Sequence, residues 1–430
     1  MNVHAFLETI RMATRTDTLS NISRRHHWLL ICLGVIAVAT PASVYAQEWR
    51  FEPIVRLGVE SDDNATLSIR TDDDVQLDGY LLDLLASVSY ISGETTMFFL
   101  EPRVLIRKYP DDEIFESDDY FLRSQFRHRM KSSTIGFRLN FDEQDVRTGE
   151  RTDSDLTLDD PDEIPNDDTG LVGLAGDRSR WRISPYWNYA LSSITSFDVS
   201  LDYTDTSYDD VFAGILVDYT DTRANLRLRR DYSNITTGII TLTGRRFSPD
   251  EVFGFDLEDN TGIGLLVGFE HALSEKTTLV AMVGAEYTDL GMDQSEVEPI
   301  GDLTLTRSLK TISMFARYQR AVTANGTGAV EVRDTINVNF NRRLSERIAA
   351  GFGVRAYHAE PVGRENSLLE RNYVQLQTLF TWYLSEAFVI EADYRYTVLD
   401  RSNAIGERSN SNRVGLWFVY QPNTIPKLQL

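Results

Sequence analysis

The sequence predicts an all-β fold, a single transmembrane, antiparallel, up-and-down β-barrel of about 18 strands, with 16 as the alternative. Three observations predict it. Beyond Gln47 apolar and polar residues alternate with period two almost everywhere, and no run spaced i, i+3, i+4 stands out. Many alternating runs reach about nine to twelve residues, the length a tilted strand needs to cross a bilayer, whereas soluble strands usually have about five or six. Short turns alternate with long acidic loops, as expected of a barrel crossing an outer membrane.

Residues 1–46 are read as an extension followed by a secretory signal. Arg24 and Arg25 precede an apolar core from Trp28 to Ala39, and Val44 and Ala46 supply a small-residue cleavage site. Cleavage after Ala46 leaves 430 − 46 = 384 residues and removes Cys32, the only cysteine. The apolar core is short for a membrane span, and Pro41 interrupts its end. Residues 47–420 are assigned to the barrel and 421–430 to a tail.

The strands each carry one apolar and one charged face. In "RFEPIVRLGVE", Phe51, Pro53, Val55, Leu57 and Val59 oppose Glu52, Arg56 and Glu60. "MFFLEPRVLIRK" sets Phe98, Leu100, Val104 and Ile106 against Glu101, Arg103 and Arg107. In "DYFLRSQFRHRM", Tyr120, Leu122, Phe126 and Met130 oppose Phe121, Arg123, Gln125, Arg127 and Arg129. "EVRDTINVNFN" divides Val332, Ile336, Val338 and Phe340 from Arg333 and three asparagines, and "AFVIEADYRYTV" does the same with Phe388, Ile390, Tyr394 and Tyr396 against Glu391, Asp393 and Arg395. Strand starts are expected near Arg50, Leu81, Met97, Tyr120, Thr134, Arg180, Ile194, Thr222, Ile235, Gly262, Thr277, Leu303, Thr311, Val330, Ile348, Tyr373, Ala387 and Arg413. Splitting "GDLTLTRSLKTISMFARYQR" at "SLKT" keeps the Leu-Ser turns "ALSSIT", "ALSEKT", "RLSERI" and "YLSEAF" on one side of the membrane, the periplasmic one. The acidic stretches at 142–178 and 246–262 then become extracellular loops.

Sixty-five Asp and Glu against 43 Lys and Arg give a formal charge of −22, which repels a phosphate backbone and argues against nucleic acid as a partner. Basic function must therefore be local. In hydrocarbon only a closed barrel pairs every backbone group without edges, so the apolar faces meet lipid and the charged faces line the lumen. The lumen-lining arginines, a candidate anion path, are Arg103, Arg107, Arg123, Arg127, Arg129, Arg138, Arg182, Arg223, Arg227, Arg229, Arg333, Arg355 and Arg395, with Arg317 beside them. Their planar forks suit carboxylates of passing solutes. Pairing with lumen acids such as Glu101, Asp142, Asp198, Asp202 and Glu391, which would make them wall braces, is the competing role.

No cofactor or metal is expected: "DSDLTLDDPDE" is rich in carboxylates but lacks the fixed spacing of an EF-hand. Beyond the signal only His128, His271 and His358 remain, none beside a nucleophile motif, so the chain is not read as an enzyme.

Two stretches resemble known proteins. The last strand, with Arg413, Gly415, Phe418 and Tyr420, resembles the recognition signal of outer-membrane barrels, which implies the barrel-assembly machinery as a partner; ten residues from Gln421 to Leu430 follow it, a departure from that pattern. "RLGVESDDNATLS", with Asp62, Asp63 and Asn64, resembles the opening of porin-like outer-membrane barrels associated with exopolysaccharide secretion loci. That resemblance implies the outer membrane of a Gram-negative bacterium, export of a polysaccharide, and periplasmic export proteins as partners. A plugged structural or binding barrel contacting surface polymer, and an outer-membrane hydrolase, are the alternatives.

Overall fold

A computed structural model describes residues 47–67, 75–93, 95–147, 176–209, 216–251, 257–291, 294–363, 370–401 and 408–422. The signal segment, most of the 142–178 loop and the end of the tail lie outside them.

Eighteen antiparallel strands close into one barrel. In chain order they are β1 (Gln47–Asp62), β2 (Leu77–Ser92), β3 (Thr96–Lys108), β4 (Ser117–Arg129), β5 (Ser133–Asp145), β6 (Asp177–Ala190), β7 (Thr195–Asp209), β8 (Tyr219–Ser233) and β9 (Thr236–Pro249). The second half comprises β10 (Asn260–Ser274), β11 (Thr277–Gly291), β12 (Gln294–Ser308), β13 (Ile312–Ala324), β14 (Val330–Arg343), β15 (Ile348–Pro361), β16 (Arg371–Tyr383), β17 (Phe388–Arg401) and β18 (Arg408–Tyr420). Each pairs with its neighbour in sequence, and β1 with β18 completes the ring, so no free edge runs its length.

The Leu-Ser turns all fall at one end, and the split at "SLKT" is real: Leu309 N donates to Ile312 O in the turn between β12 and β13. The largest departure from expectation is β12, which begins at Gln294 rather than near Leu303. "QSEVEPIGD" alternates only weakly and contains Pro299, so its strand character comes from pairing with β11, as in Glu286↔Glu298.

Apolar side chains cover the outside. Leu57, Val59, Ile240, Leu242, Ile263, Leu265, Leu416 and Phe418 are all exposed there, a belt that suits lipid.

The buried apolar clusters lie inside, at the long-loop end. Leu67, from the loop after β1, packs on Tyr357, Ala359, Tyr373 and Leu399. Ala65 and Leu77 pack on Tyr109. Burial, reinforced by the Glu60 charge, pushes the Tyr109 phenol up, so it keeps its proton and donates to Glu60.

The third cluster shows that the wall itself folds inward. Val322, Val330 and Val332 of the β13–β14 hairpin pack with Tyr219 and Phe247 of β8 and β9 and Ile300 of β12. Val332, expected on the lipid face, is 2 % exposed. Its face of the hairpin, lipid-facing lower down, is turned onto the inner wall.

The hairpin tip is fixed by Val217 N donating to Gly326 O at 2.8 Å and by Gly328, whose φ is +78° and whose absent Cβ would come within 2.8 Å of Leu257. Gly328→Val should therefore loosen the tip by about 1–3 kcal/mol. Faster amide exchange over residues 321–332 than in the parent protein checks this.

Candidate functional site: the barrel lumen

Residues directly opposite in a ladder share a face, so the register sorts the arginines. The pairs Arg103↔Phe121 and Glu101↔Arg123 link β3 to β4, and Arg123↔Asn140 and Gln125↔Arg138 continue into β5. Asn140↔Arg182, Arg182↔Thr204 and Asp202↔Arg223 carry the same face to β8. On the far side Asn337↔Arg355, Arg355↔Gln375, Gln377↔Arg395 and Arg395↔Arg413 return it to β1 through Asp62↔Arg413. By the same period of two, Arg107, Arg127, Arg129, Arg138, Arg227, Arg229, Arg317 and Arg333 lie on this inner face.

Depth divides them into two groups. Toward the long-loop end the guanidinium groups are buried and braced by acids. Arg107 contacts Asp119, which is fully buried. Asp142 accepts from Arg178 Nη2 at 3.0 Å and Arg180 Nε at 2.9 Å. Glu331 accepts from Arg333 Nε at 2.9 Å, Arg371 Nη2 at 3.0 Å and Asn325 Nδ2 at 2.8 Å. Arg103 grips Asp83 through two bonds, at 2.9 and 3.0 Å. These arginines are wall braces. Arg355 and Arg395 are buried in the same zone.

Toward the short-turn end the lumen opens into a vestibule. Arg123 is 52 % exposed there and 3.8 Å from Glu101. Arg127, Arg129 and Arg227 are exposed and make no ion pair among the described residues; Arg127 reaches only Met97 Sδ, at 3.8 Å, and Arg227 Nε donates to Thr241 Oγ1, at 3.3 Å. Arg229 and Arg317 are paired here, with Glu270 and Asp302 at 2.6 Å each. Phe99 and Phe121 share the inner face with the arginines of β4.

Sequence reasoning passed over Arg178, Arg180, Arg245 and Arg371. Arg178 and Arg180 stand four and two residues before Arg182, so period two alone places them on its face. Arg371 has the parity of Gln375 and Gln377, the polar face of β16, and the same rule turns it inward. Nothing local marks Arg245 as special, because its buried state depends on the hairpin described above.

At the closing strand, Arg413 Nη2 pairs with Glu60 at 2.6 Å and Trp417 Nε1 donates to Asp393 at 3.0 Å, both inward. A Cβ on Gly415 would clash with Asp393 Oδ1. Phe418 and Tyr420 point outward and pack on Phe388.

His128, His271 and His358 lie on the outer face, bonded to Thr96, Thr236 and Asn372 at 2.8–2.9 Å. Among the described residues no three His, Cys, Asp or Glu side chains are placed to hold a metal.

No family model matches the chain, and no curated protein matches it. Among solved structures it is similar to OccK2 (OpdF) of Pseudomonas aeruginosa in complex with glucuronate, with 10 % identity over 87 % of this chain and 98 % of that one and a TM-score of 0.46. OccAB4 of Acinetobacter baumannii matches at 10 % identity over 89 % and 100 %, with a TM-score of 0.45. A mutant of the ferric enterobactin receptor PfeA of Pseudomonas aeruginosa matches at 9 % over 86 % and 80 %, with a TM-score of 0.43. At these values nothing about solute or partner carries over.

Proposed function

We propose that the protein is an outer-membrane channel of a Gram-negative bacterium, not an enzyme, and that its vestibule admits anionic solutes, an acidic exopolysaccharide in transit to the surface foremost. The observation that carries this reading is the set of exposed inner-face guanidinium groups without an acid partner, those of Arg127, Arg129 and Arg227. A cation on a confined, low-dielectric wall concentrates anions, and an arginine already braced by a carboxylate does so far less. Phe99, opposite Gln125 on the inner face, offers an apolar surface beside Arg127, a combination that suits sugar rings bearing carboxylates. Strands of 13–16 residues with an apolar outer face support the membrane setting. The bilayer, the barrel-assembly machinery and periplasmic export proteins are the partners this role requires.

The plugged-barrel reading has one observation in its favour, the apolar clusters inside the long-loop end.

The test is the reversal potential of the purified mature protein in a planar bilayer under a KCl gradient. Anion preference is expected, falling about threefold or more in the R127Q/R129Q/R227Q variant. A cation-selective parent channel, or a reversal potential unmoved by the three changes, overturns the reading.

A further inference from the structure

The ladder between β12 and β13 stops at Gly301↔Arg320, although β12 runs on to Gln294 and β13 to Ala324. Pro299 explains the stop. Its carbonyl accepts from Arg320 Nε at 3.2 Å, so it faces β13, and a strand residue turns its nitrogen to the same neighbour. That nitrogen carries no hydrogen, so the next rung has no donor.

Freed from β12, the hairpin crosses inside the barrel to β8, four strands away. Arg223 Nη2 of β8 donates to Val322 O at 3.1 Å, and the valines of the hairpin complete the cluster with Tyr219 and Phe247.

The floor beside this apolar seal is polar and unsatisfied. Arg245 has 0 % side-chain exposure, none of its three guanidinium nitrogens has a hydrogen-bond partner, and its nearest acid oxygen, Glu286 Oε1, is 3.9 Å away. Glu286 Oε1, Thr288 Oγ1, Asp221 Oδ1 and Thr206 Oγ1 are also buried without a hydrogen-bond partner. Arg223, Arg245, Gly262 and Thr288 are consecutive cross-strand neighbours, and Gly262 leaves the inner face of β10 bare between Arg245 and Thr288. Burying such groups without hydrogen bonds is costly, and the 3.9 Å Arg245–Glu286 contact offsets only part of it. Apolar contact therefore holds the hairpin in, while the desolvated floor favours its release.

We propose that the β13–β14 hairpin is a gate over a saccharide-binding floor centred on Arg245. When the hairpin lifts, Arg245 offers donors, Glu286 and Asp221 offer acceptors, and Thr206 and Thr288 offer both. A polyhydroxylated, carboxylated sugar presents the complementary set, which a bare inorganic anion beside two acids does not. The inference rests on the transport reading and adds where the solute is held and what closes behind it.

The test uses V217C/G326C. The Val217–Gly326 backbone bond puts these positions within disulfide reach, and the sequence beyond the predicted signal contains no other cysteine. In a planar bilayer the oxidised variant should conduct at least about threefold less than after dithiothreitol, with the parent protein unaffected by the reductant. Amide exchange reads the gate without current. Residues 321–332 should exchange faster than 312–320 in the reduced variant and slow on oxidation. Oligogalacturonate should speed their exchange in the reduced variant, and should no longer do so once R245M is added to V217C/G326C.

Equal conductance in both redox states, or equal protection of both segments in the reduced variant, overturns the gate. No response to oligogalacturonate, or a response equal to that of a neutral maltooligosaccharide or of potassium phosphate, overturns the saccharide floor. Redox-sensitive conductance without anion preference sinks the transport reading instead and leaves the gate standing.

Discussion

Glu331→Ala should destabilise the barrel by about 3–5 kcal/mol, the cost of removing a carboxylate from a buried ion network. Glu331 is 2 % exposed and receives bonds from Arg333, Arg371 and Asn325. The two guanidinium groups flank the Tyr357 ring, at 4.9 and 5.8 Å from its centroid, so neither can leave for water without unstacking. Removing the carboxylate takes a shared acceptor from two cations held close together in a low-dielectric interior. Replacing the set at once, as E331L/R333M/R371M, should cost far less, because both cations leave together with the carboxylate that they share. Urea unfolding followed by tryptophan fluorescence and by the gel mobility of unheated protein measures both. A midpoint for Glu331→Ala equal to that of the parent would show that the network carries no net stability.

That network also separates what the sequence discloses from what it hides. Which face Arg333 takes is local information, since Val332, Arg333 and the asparagines after it alternate and the period of a strand is two. Strand number follows from the same alternation, with the turn at Leu309–Thr311 keeping the Leu-Ser turns at one end. Whether an inward arginine meets solvent or an acid is not local. Arg127 and Arg107 have the same parity and similar neighbours in the chain, yet one stands in the vestibule and the other contacts Asp119. The difference is depth, set by the stagger of strands around the whole ring. The hairpin is harder still to foresee. Val322, Val330 and Val332 satisfy the lipid-facing pattern equally well when turned onto Tyr219 and Phe247, because lipid and an apolar inner wall ask for the same side chains. Pro299 is the one local sign that pairing fails there, and its meaning depends on which neighbour its nitrogen faces.

The double change D62A/D63A should cut the yield of closed barrel severalfold, since these residues fasten the joint where first and last strands meet. That joint is short: β1 pairs with β18 at eight positions, Val55 to Asp62, as β12 does with β13, and with β2 at sixteen. Just beyond the eighth pair the motif takes over. Asp62 accepts from Ser411 Oγ at 2.7 Å and from Asn64 N at 3.0 Å. Asp63 accepts from the backbone N of Asn412 at 2.6 Å and from its Nδ2 at 2.7 Å, while Asn64 Nδ2 donates to Asn410 O at 3.0 Å. Hydrogen bonds to charged acceptors contribute about 1.5–3 kcal/mol each where solvent is excluded, as at Asp62, and less at exposed Asp63. The acidic pair is thus a closure device rather than part of the solute path. D62N/D63N keeps an acceptor at each position and should lose much less. Pulse-labelling cells and counting the fraction that migrates as folded barrel without heating compares the two. If D62A/D63A closes as fast and as completely as the parent while its conductance changes, the acids belong to the channel and not to the joint.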